Sequence, residues 1–315
     1  MGERKTMPTF TPHIVVVGSI NMDLVAQMVR LPRPGETVHG NGFQTIPGGK
    51  GANQAVAAAR LGARVTMIGR VGDDSFGETL KRSLEEHGVS TEHVLVTEGC
   101  SSGVALIGVE ATGANSITVV AGANGQLTPL DVESRADVIA AADVLIVQLE
   151  TPLDTVAAAI RLAREVGVRT ILDPAPAPTG PLPAELLAVE ILSPNQTEAE
   201  ALTSIAVHDV ASAGTAARRL RELGAKAVVL KLGELGAFML DDVGREEHVS
   251  ARAASVVDTT AAGDAFTAGL AVALAEGRSL SDAARFGCAA GTLACTKFGA
   301  QPAMPLREEV TRWLK

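Results

Sequence analysis

The stretch His13-Ile-Val-Val-Val-Gly-Ser-Ile-Asn-Met-Asp23 is the part of this 315-residue chain that most directly decides its fold. Its apolar run, residues 14–17, contains no alternating polar positions, which is typical of a strand buried on both faces of a mostly parallel sheet. A second run of the same kind occupies residues 144–147. Because strand-like and helix-like segments alternate along the chain, the sequence predicts an α/β fold with three layers, helices covering both faces of the sheet.

Apolar periodicity predicts the individual elements. Strands are expected at 13–18, 64–70, 143–148, 169–173, 190–193, 225–231 and 237–240. Helices are expected at 50–61, 76–87, 153–165, 197–203, 211–223, 261–276 and 281–297. Two segments, 22–46 and 102–120, lack this rhythm and predict a small β lid. The remaining chain is expected to form a polar tail at 1–12 and an α/β core from 13–21, 47–101 and 121–315.

Composition argues against several classes of protein. The net charge of −9 disfavours a nucleic-acid binder, because phosphate backbones require basic surfaces. No apolar run reaches the ~18 residues of a membrane span, and the N-terminus lacks the apolar region of a secretion signal. Cys100, Cys288 and Cys295 show no CxxC spacing, so we expect reduced thiols in a cytoplasmic protein, not disulfides or structural zinc.

The segment DTTAAGDAF, residues 258–266, places an acid in the first turn of a predicted helix. Ala261, Ala262 and Gly263 are small, so an anion can approach their N–H groups, where the helix dipole also favours negative charge. Asp264 suits a base that takes a proton from a hydroxyl group while these amides stabilise a transferring phosphoryl group. The alternative is an acid that only complements the helix dipole.

Two N-terminal segments carry polar groups next to predicted strands. In GSINMD, residues 18–23, the polar side chains of Asn21 and Asp23 lie two positions apart and can converge on one polyol. The alternative is that they serve only as turn or cap residues. In PGGKGANQ, residues 47–54, glycines allow close backbone approach, and Lys50 and Asn53 share one helix face. The spacing is not that of a P-loop, and an ordinary glycine-rich turn is the alternative.

Three weaker patterns follow other predicted strands. Glu150 ends the segment QLE and is either a cap or a ligand. NQTE at 195–198 is close to a helix capping box, and the functional alternative is that it organises water around a Mg²⁺–phosphate group. KLGELG at 231–236 either covers a nucleotide or forms only a hairpin turn.

Taken together and in this order, these segments resemble the ribokinase/PfkB family of carbohydrate kinases, from about residue 13 to the C-terminus. The most specific matches are GSINMD (18–23), PGETVHG (34–40), GGKGANQAVAAARLGA (48–63), GDDSFG (72–77), QLETP (148–152), NQTEAE (195–200), DTTAAGDAF (258–266) and GAQPAMP (299–305). The resemblance implies ATP-dependent phosphorylation of D-ribose at O5, giving D-ribose 5-phosphate and ADP. It also implies a ribokinase-like α/β/α domain that often forms a homodimer through its β lid.

The resemblance further implies roles for individual residues. Sugar-binding positions would be Asn21, Asp23, Gly48, Gly49, Lys50, Asn53, Glu150 and Asp264. Asp264 would be the catalytic base, with the anion hole formed by the amides of Ala261, Ala262 and Gly263. Nucleotide-binding positions would be Asn195, Lys231, Leu232, Gly233, Glu234, Leu235, Gly236, Gly263, Asp264 and Cys288. Mg²⁺ would be held through water by Glu198, and K⁺ by Asp258, Thr260, Ala294, Lys297, Gly299 and Ala303, largely through backbone carbonyls.

Two positions depart from the family pattern. Cys288 stands where the family often has Asn near the adenine, and a thiol is a poorer hydrogen-bonding group. Ala303 stands where a Ser can complete the cation shell, so water or another carbonyl must replace the missing oxygen. We nevertheless expect K⁺ dependence.

Other functions remain as alternatives. The nearest is the same reaction on 2-deoxyribose, fructose or a nucleoside; an aromatic content of 3% with no Tyr disfavours stacking of a nucleoside base. A non-catalytic sugar-binding regulator would have no need for Asp264 and Gly263 together. A Rossmann-type oxidoreductase is disfavoured because no GxGxxG follows the first strand.

Overall fold

The computed structural model describes residues 11–315, so nearly all of the predicted tail lies outside the described residues. The strands are β1 His13–Val17, β2 Asn21–Met28, β3 Gly40–Gly48, β4 Arg64–Gly72, β5 Val89–Thr97, β6 Gly103–Glu110, β7 Asn115–Val120, β8 Val144–Val147, β9 Arg169–Leu172, β10 Ile191–Leu192, β11 Ala227–Lys231, β12 Ala237–Leu240 and β13 Glu246–Val249. The helices are α1 Lys50–Arg60, α2 Ser75–Glu86, α3 Pro129–Glu133, α4 Ala136–Ala140, α5 Leu153–Val166, α6 Ala184–Leu187, α7 Gln196–Thr203, α8 Val210–Glu222, α9 Ala262–Ala275, α10 Leu280–Ala294 and α11 Arg307–Trp313.

Nine strands form one large sheet in the order β13-β12-β11-β10-β9-β8-β1-β4-β5. The seven strands from β11 to β5 in this order all pair in parallel. Only the β11–β12 and β12–β13 pairings, at one edge, are antiparallel. The apolar run in β1 is continuous because Ile14 and Val16 pack into the core on one face, while Val15 and Val17 pack into the core on the other. The predicted α/β fold with a mostly parallel sheet is confirmed.

The two predicted insertions form a separate four-stranded sheet in the order β3-β2-β6-β7. Strands β2 and β6 are parallel, whereas the β2–β3 and β6–β7 pairs are antiparallel. The strands extend beyond 22–46 because Asn21 pairs with both Gly48 and Gly103 at the first rung. The small sheet therefore begins at the polar residues that follow β1.

The structure contains two strands at the edges of the sheet, β5 and β13, and four short helices, α3, α4, α6 and α11, that the apolar periodicity does not predict. Strand β5 lacks a continuous apolar run because it alternates buried and exposed residues as the last strand of the sheet, and β13 is short and contains two glutamates and a histidine. Helix α9 begins at Ala262, one residue later than predicted, since Ala261 has a φ of 58° and is the N-cap. No helix within residues 11–315 is long and apolar enough to cross a membrane.

Candidate active site

Asp264 lies buried in the first turn of α9, with only 4% of its surface exposed. Helix α1 holds its carboxylate: the Asn53 side-chain amide donates to Oδ2 and the Gln54 side-chain amide donates to Oδ1, each at 3.0 Å. Burial raises the pKa of Asp264 to about 6, even though the Lys50 charge lowers it. A carboxylate with a pKa near neutrality, fixed by neutral donors, has the properties of a general base.

The start of α9 is the predicted anion hole. Ala261 adopts the left-handed conformation, which residues other than glycine rarely adopt and which is often found at functional sites. The Ala262 N–H donates to the Thr259 carbonyl at 3.2 Å, so one of the three predicted amide donors is engaged in a turn. The Gly263 N–H lies in the first turn, where amides have no acceptor within the helix.

Two glycines allow Asp23 and Asn21 to approach α1 closely. A Cβ on Gly48 would lie 2.2 Å from Asp23 Oδ2, and a Cβ on Gly49 would lie 2.7 Å from the Asn21 backbone nitrogen. Gly49 also has a φ of 87°, which favours glycine. Burial raises the pKa of Asp23 to about 7, and the charges of Glu150 and Asp264 raise it further. These carboxylates therefore share one small site.

Asn124 orients Asn21, a role that the sequence did not indicate. Its side-chain amide donates to Asn21 Oδ1 at 2.7 Å and to the Ile20 carbonyl at 3.1 Å, while its Oδ1 accepts from the Ile20 N–H at 2.9 Å. The residue is buried in the 3₁₀ turn Gly122–Gln126, which follows the small sheet. Nothing in the sequence pattern marks Asn124, because only the fold buries it beside Asn21.

Glu150 and Lys50 also reach the site, as predicted from their positions. Glu150 Oε2 accepts hydrogen bonds from the Ser19 hydroxyl at 2.5 Å and from the Lys50 N–H at 3.2 Å. Burial lowers the pKa of the Lys50 ammonium, but nearby carboxylates raise it by more, so the ammonium stays charged. These carboxylates are Asp264, Asp173, Glu150 and Glu198.

A cleft of about 730 Å³ opens beside the start of α9. Most of the predicted nucleotide-binding residues line it: Lys231, Gly233, Glu234, Leu235, Gly236, Gly263 and Cys288. Residues 233–235 form a 3₁₀ turn between the antiparallel strands β11 and β12, so this segment is both a hairpin connection and a wall of the cleft. Leu232 instead packs into the core, and burial raises the pKa of the Cys288 thiol to about 12, which keeps it neutral.

Asn195 and Glu198 form a complete capping box at the start of α7. The Asn195 N–H and side-chain amide donate to the two Glu198 carboxylate oxygens at 2.7 and 2.8 Å, and the Glu198 N–H donates to Asn195 Oδ1 at 2.8 Å. Glu198 is 4% exposed, and burial raises its pKa despite the Lys231 charge. The capping alternative is thus realised, and a carboxylate oxygen keeps a second lone pair for water.

Asp258 joins the two ends of the predicted K⁺ site. Its Oδ1 accepts from the Thr260 N–H and hydroxyl at 2.9 and 2.7 Å, and its Oδ2 accepts from the Gly299 N–H at 2.9 Å. Burial raises the pKa of Asp258, but these hydrogen bonds lower it by more, so the carboxylate stays charged. The Lys297 ammonium, itself a cation and paired with Glu309 at 2.9 Å, cannot bind K⁺, so only the Lys297 carbonyl oxygen could serve as a ligand.

The remaining predicted cation ligands offer backbone oxygens. The Ala294 carbonyl accepts from the Lys297 N–H at 3.3 Å, and Ala303 is fully buried with only a methyl side chain. Within residues 11–315, no group of three or more His, Cys, Asp or Glu side chains is arranged to hold a metal ion. One carboxylate with several carbonyls suits a weakly held monovalent cation better than zinc.

Comparison with known proteins identifies the family. The pattern of the pfkB family of carbohydrate kinases matches residues 11–307. Ribokinase from Haemophilus influenzae is 42% identical, covering 96% of this chain and 98% of the relative, and deoxyribokinase from Salmonella typhi is 36% identical, covering 96% and 98%. The structure of Arabidopsis thaliana ribokinase complexed with ribose and ATP superposes with a TM-score of 0.91 at 36% identity, covering 97% of this chain and 99% of that one.

These similarities extend over nearly the whole described chain and include both sheets. They agree with the ordered motifs and with the meeting of α1 and α9 around a buried acid. The chain therefore belongs to the pfkB family of carbohydrate kinases, enzymes that transfer a phosphoryl group to an alcohol group of their substrate.

Proposed function

We propose that the chain phosphorylates D-ribose at O5 with ATP, giving D-ribose 5-phosphate and ADP. The observation that carries this proposal is Asp264, a buried acid with a pKa of about 6 that lies between the sugar-binding segment on α1 and the cleft beside α9. Ribokinases that are about 40% identical over nearly their full length support the choice of substrates.

In this proposal the sugar lies between the small sheet and α1. Asn21, Asp23 and Glu150 bind its hydroxyl groups, since each is held in place by neighbouring groups or by the close packing of glycines. Asn53 binds with its Oδ1, a buried acceptor that has no hydrogen-bond partner within residues 11–315. A buried acceptor without a partner is unfavourable unless a ligand supplies the donor.

Asp264 accepts the O5 proton as that oxygen attacks the γ-phosphorus in line. The new O5–phosphorus bond forms while the bond from the γ-phosphorus to the bridging oxygen breaks, and ADP leaves with that oxygen. The Gly263 amide and the Lys50 ammonium stabilise the charge on the phosphoryl oxygens. Catalysis of this kind depends mainly on positioning and electrostatics.

Two cations complete the proposal. Mg²⁺ accompanies ATP and neutralises phosphate charge when bound, and Glu198 would hold it through water. K⁺ would add positive charge beside the start of α9. It would be held by the carboxylate of Asp258 and by carbonyls that include those of Ala294 and Lys297, with water in place of a side-chain oxygen at Ala303.

We also propose that the small sheet is the lid of the sugar site and the contact of a homodimer. Its strands expose large apolar side chains, which is unusual for a surface that stays in water. These are Phe43, Leu106 and Val120 on one face of the sheet and Ile117 and Val119 on the other, each between 48% and 66% exposed.

A second candidate is the same reaction on 2-deoxyribose. It is favoured by the Salmonella typhi deoxyribokinase, which covers nearly the whole chain at 36% identity. The two substrates differ only by one hydroxyl group, so the choice rests on a single hydrogen-bonded contact in the sugar site.

The experiment that tests the function is ADP production with ATP and a panel of sugars and nucleosides, with and without K⁺. The proposal predicts the highest kcat/KM with ribose and a loss of rate without K⁺. A higher kcat/KM with 2-deoxyribose than with ribose would identify 2-deoxyribose as the substrate instead. ADP production independent of any added sugar would contradict the proposal.

A further inference from the structure

Asp173 is a buried acid that lies outside all of the sequence motifs described above. It follows β9, is 1% exposed, and is linked by hydrogen bonds to Lys231 at the cleft and through Gln54 to the candidate base. We propose that Asp173 is a positioning residue for phosphoryl transfer, holding Gln54 against Asp264 with one oxygen and Lys231 beside the anion hole with the other. This proposal rests on the proposed function and adds a residue to it.

The Asp173 carboxylate is fixed by contacts to both of its oxygens. Oδ1 accepts from the Lys231 ammonium at 2.7 Å, and Oδ2 accepts from the Gln54 side-chain amide at 2.9 Å and from the Thr267 hydroxyl at 3.3 Å. The Asp173 N–H donates to the Val147 carbonyl at 3.0 Å, which fixes the backbone as well. The carboxylate therefore cannot rotate without losing bonds to buried partners.

Gln54 transmits this position to the base. Its Nε2 donates to Asp173 Oδ2 and to Asp264 Oδ1, and its Oε1 accepts from the Gln148 side-chain amide at 2.6 Å. An amide group carries two protons, so one is directed to each carboxylate. Gln148 determines which end of Gln54 carries those protons, and Asp173 and Asp264 are thus held in a fixed relation.

Lys231 is the link to the phosphate side. It ends β11, two strands away from β9, and reaches across the short strand β10 to Asp173. A methyl group built on Gly263 would lie 3.8 Å from its ammonium nitrogen, and both residues line the cleft. A buried ion pair adds little stability compared with apolar packing, so stability alone does not account for this pair.

The charges around these groups give a readout that a purely structural role would not change. Asp173 is surrounded by Lys231, Lys50, Glu198 and Asp264. The charges that act on Asp264 are those of Lys50, Asp173 and Asp23. Because the Asp173 charge raises the pKa of Asp264, an uncharged residue at 173 moves the acid limb of the kcat–pH profile to lower pH.

The test compares Asp173→Asn and the double variant Asp173→Asn/Lys231→Met with the wild type. We expect kcat to fall by about 10- to 100-fold, because small misplacements of reacting groups have effects of this size. The KM for ribose should change little, and the acid limb of Asp173→Asn should move to lower pH. The double variant leaves no unpaired buried charge, so it keeps the test possible if the single variant does not fold.

Lys226→Met is the matched control. Lys226 directly precedes β11, at the opposite end of the strand from Lys231, and forms a surface ion pair with Glu190 at 2.9 Å. Its loss should therefore leave kcat unchanged. Folded Asp173→Asn or double variants with wild-type kcat and an unmoved acid limb would overturn the positioning role. Failure of the wild type to use any sugar would instead overturn the proposed function.

Discussion

At the scale of single residues, the site concentrates negative charge where the sugar is proposed to bind. Asp23 lies near Glu150 and Asp264, and its pKa of about 7 reflects first its burial and then these two charges. The folded protein therefore binds a proton at Asp23 more tightly than the unfolded chain does. The cost of its charge is fully present above about pH 7, shrinks as the pH falls, and disappears below its ordinary pKa of about 4.

Asp23→Asn should stabilise the folded protein at pH 8 while weakening ribose binding. Each unit of pKa shift corresponds to about 1.4 kcal/mol, so the gain is a few kcal/mol at most. Thermal unfolding at pH 8 and pH 4 measures the effect: Tm should rise at pH 8, and most of the difference from wild type should be lost at pH 4. Asp242→Asn, at an exposed turn, serves as the control. A lower Tm at pH 8 would contradict the crowding of carboxylates.

At the scale of elements, the site is formed where β3 ends and α1 begins. The Gly48 position has no room for a side chain, because a Cβ there would lie 2.2 Å from Asp23 Oδ2 and 2.7 Å from its Oδ1. The small sheet and the helix thus meet at a point where any side chain larger than that of glycine would push the Asp23 carboxylate aside.

Gly48→Ala should therefore displace Asp23 and raise the KM for ribose, with little change in the KM for ATP, whose proposed cleft lies beside α9. Steady-state kinetics with each substrate varied in turn gives the measurement. Gly180→Ala is the control, since a Cβ there meets nothing within 4 Å. An equal rise in both KM values would indicate a general disturbance of the fold.

Much of this element-level organisation could be predicted from the sequence. Continuous apolar runs predicted the parallel strands, and glycine-rich junctions predicted where α1 begins. The edge strand β5 was not predicted, because exposure on one side removes the continuous apolar pattern. Asn124, Gln54 and Asp173 were not identified as site residues, because their roles arise only from partners 58 to 210 positions away in the chain.

At the scale of the whole molecule, we propose that the face of the small sheet that exposes Phe43, Leu106 and Val120 is the contact for self-association. Leu106→Asp should convert the proposed homodimer to a monomer, because a charge in a buried contact is costly. Light scattering after gel filtration measures the mass. Val243→Asp is the control, since Val243 is 84% exposed in the turn between β12 and β13. A wild-type protein that is monomeric at all concentrations would contradict the proposed contact.

The kinetics and ribose affinity of Asp264→Asn test the central claim most directly. The substitution keeps the shape of the side chain but removes its capacity to accept the O5 proton. General-base catalysis contributes about 10²- to 10⁴-fold to a rate, so kcat should fall by about 10²-fold or more. The ribose affinity, measured by calorimetry, should change little. Turnover close to that of the wild type would contradict the account.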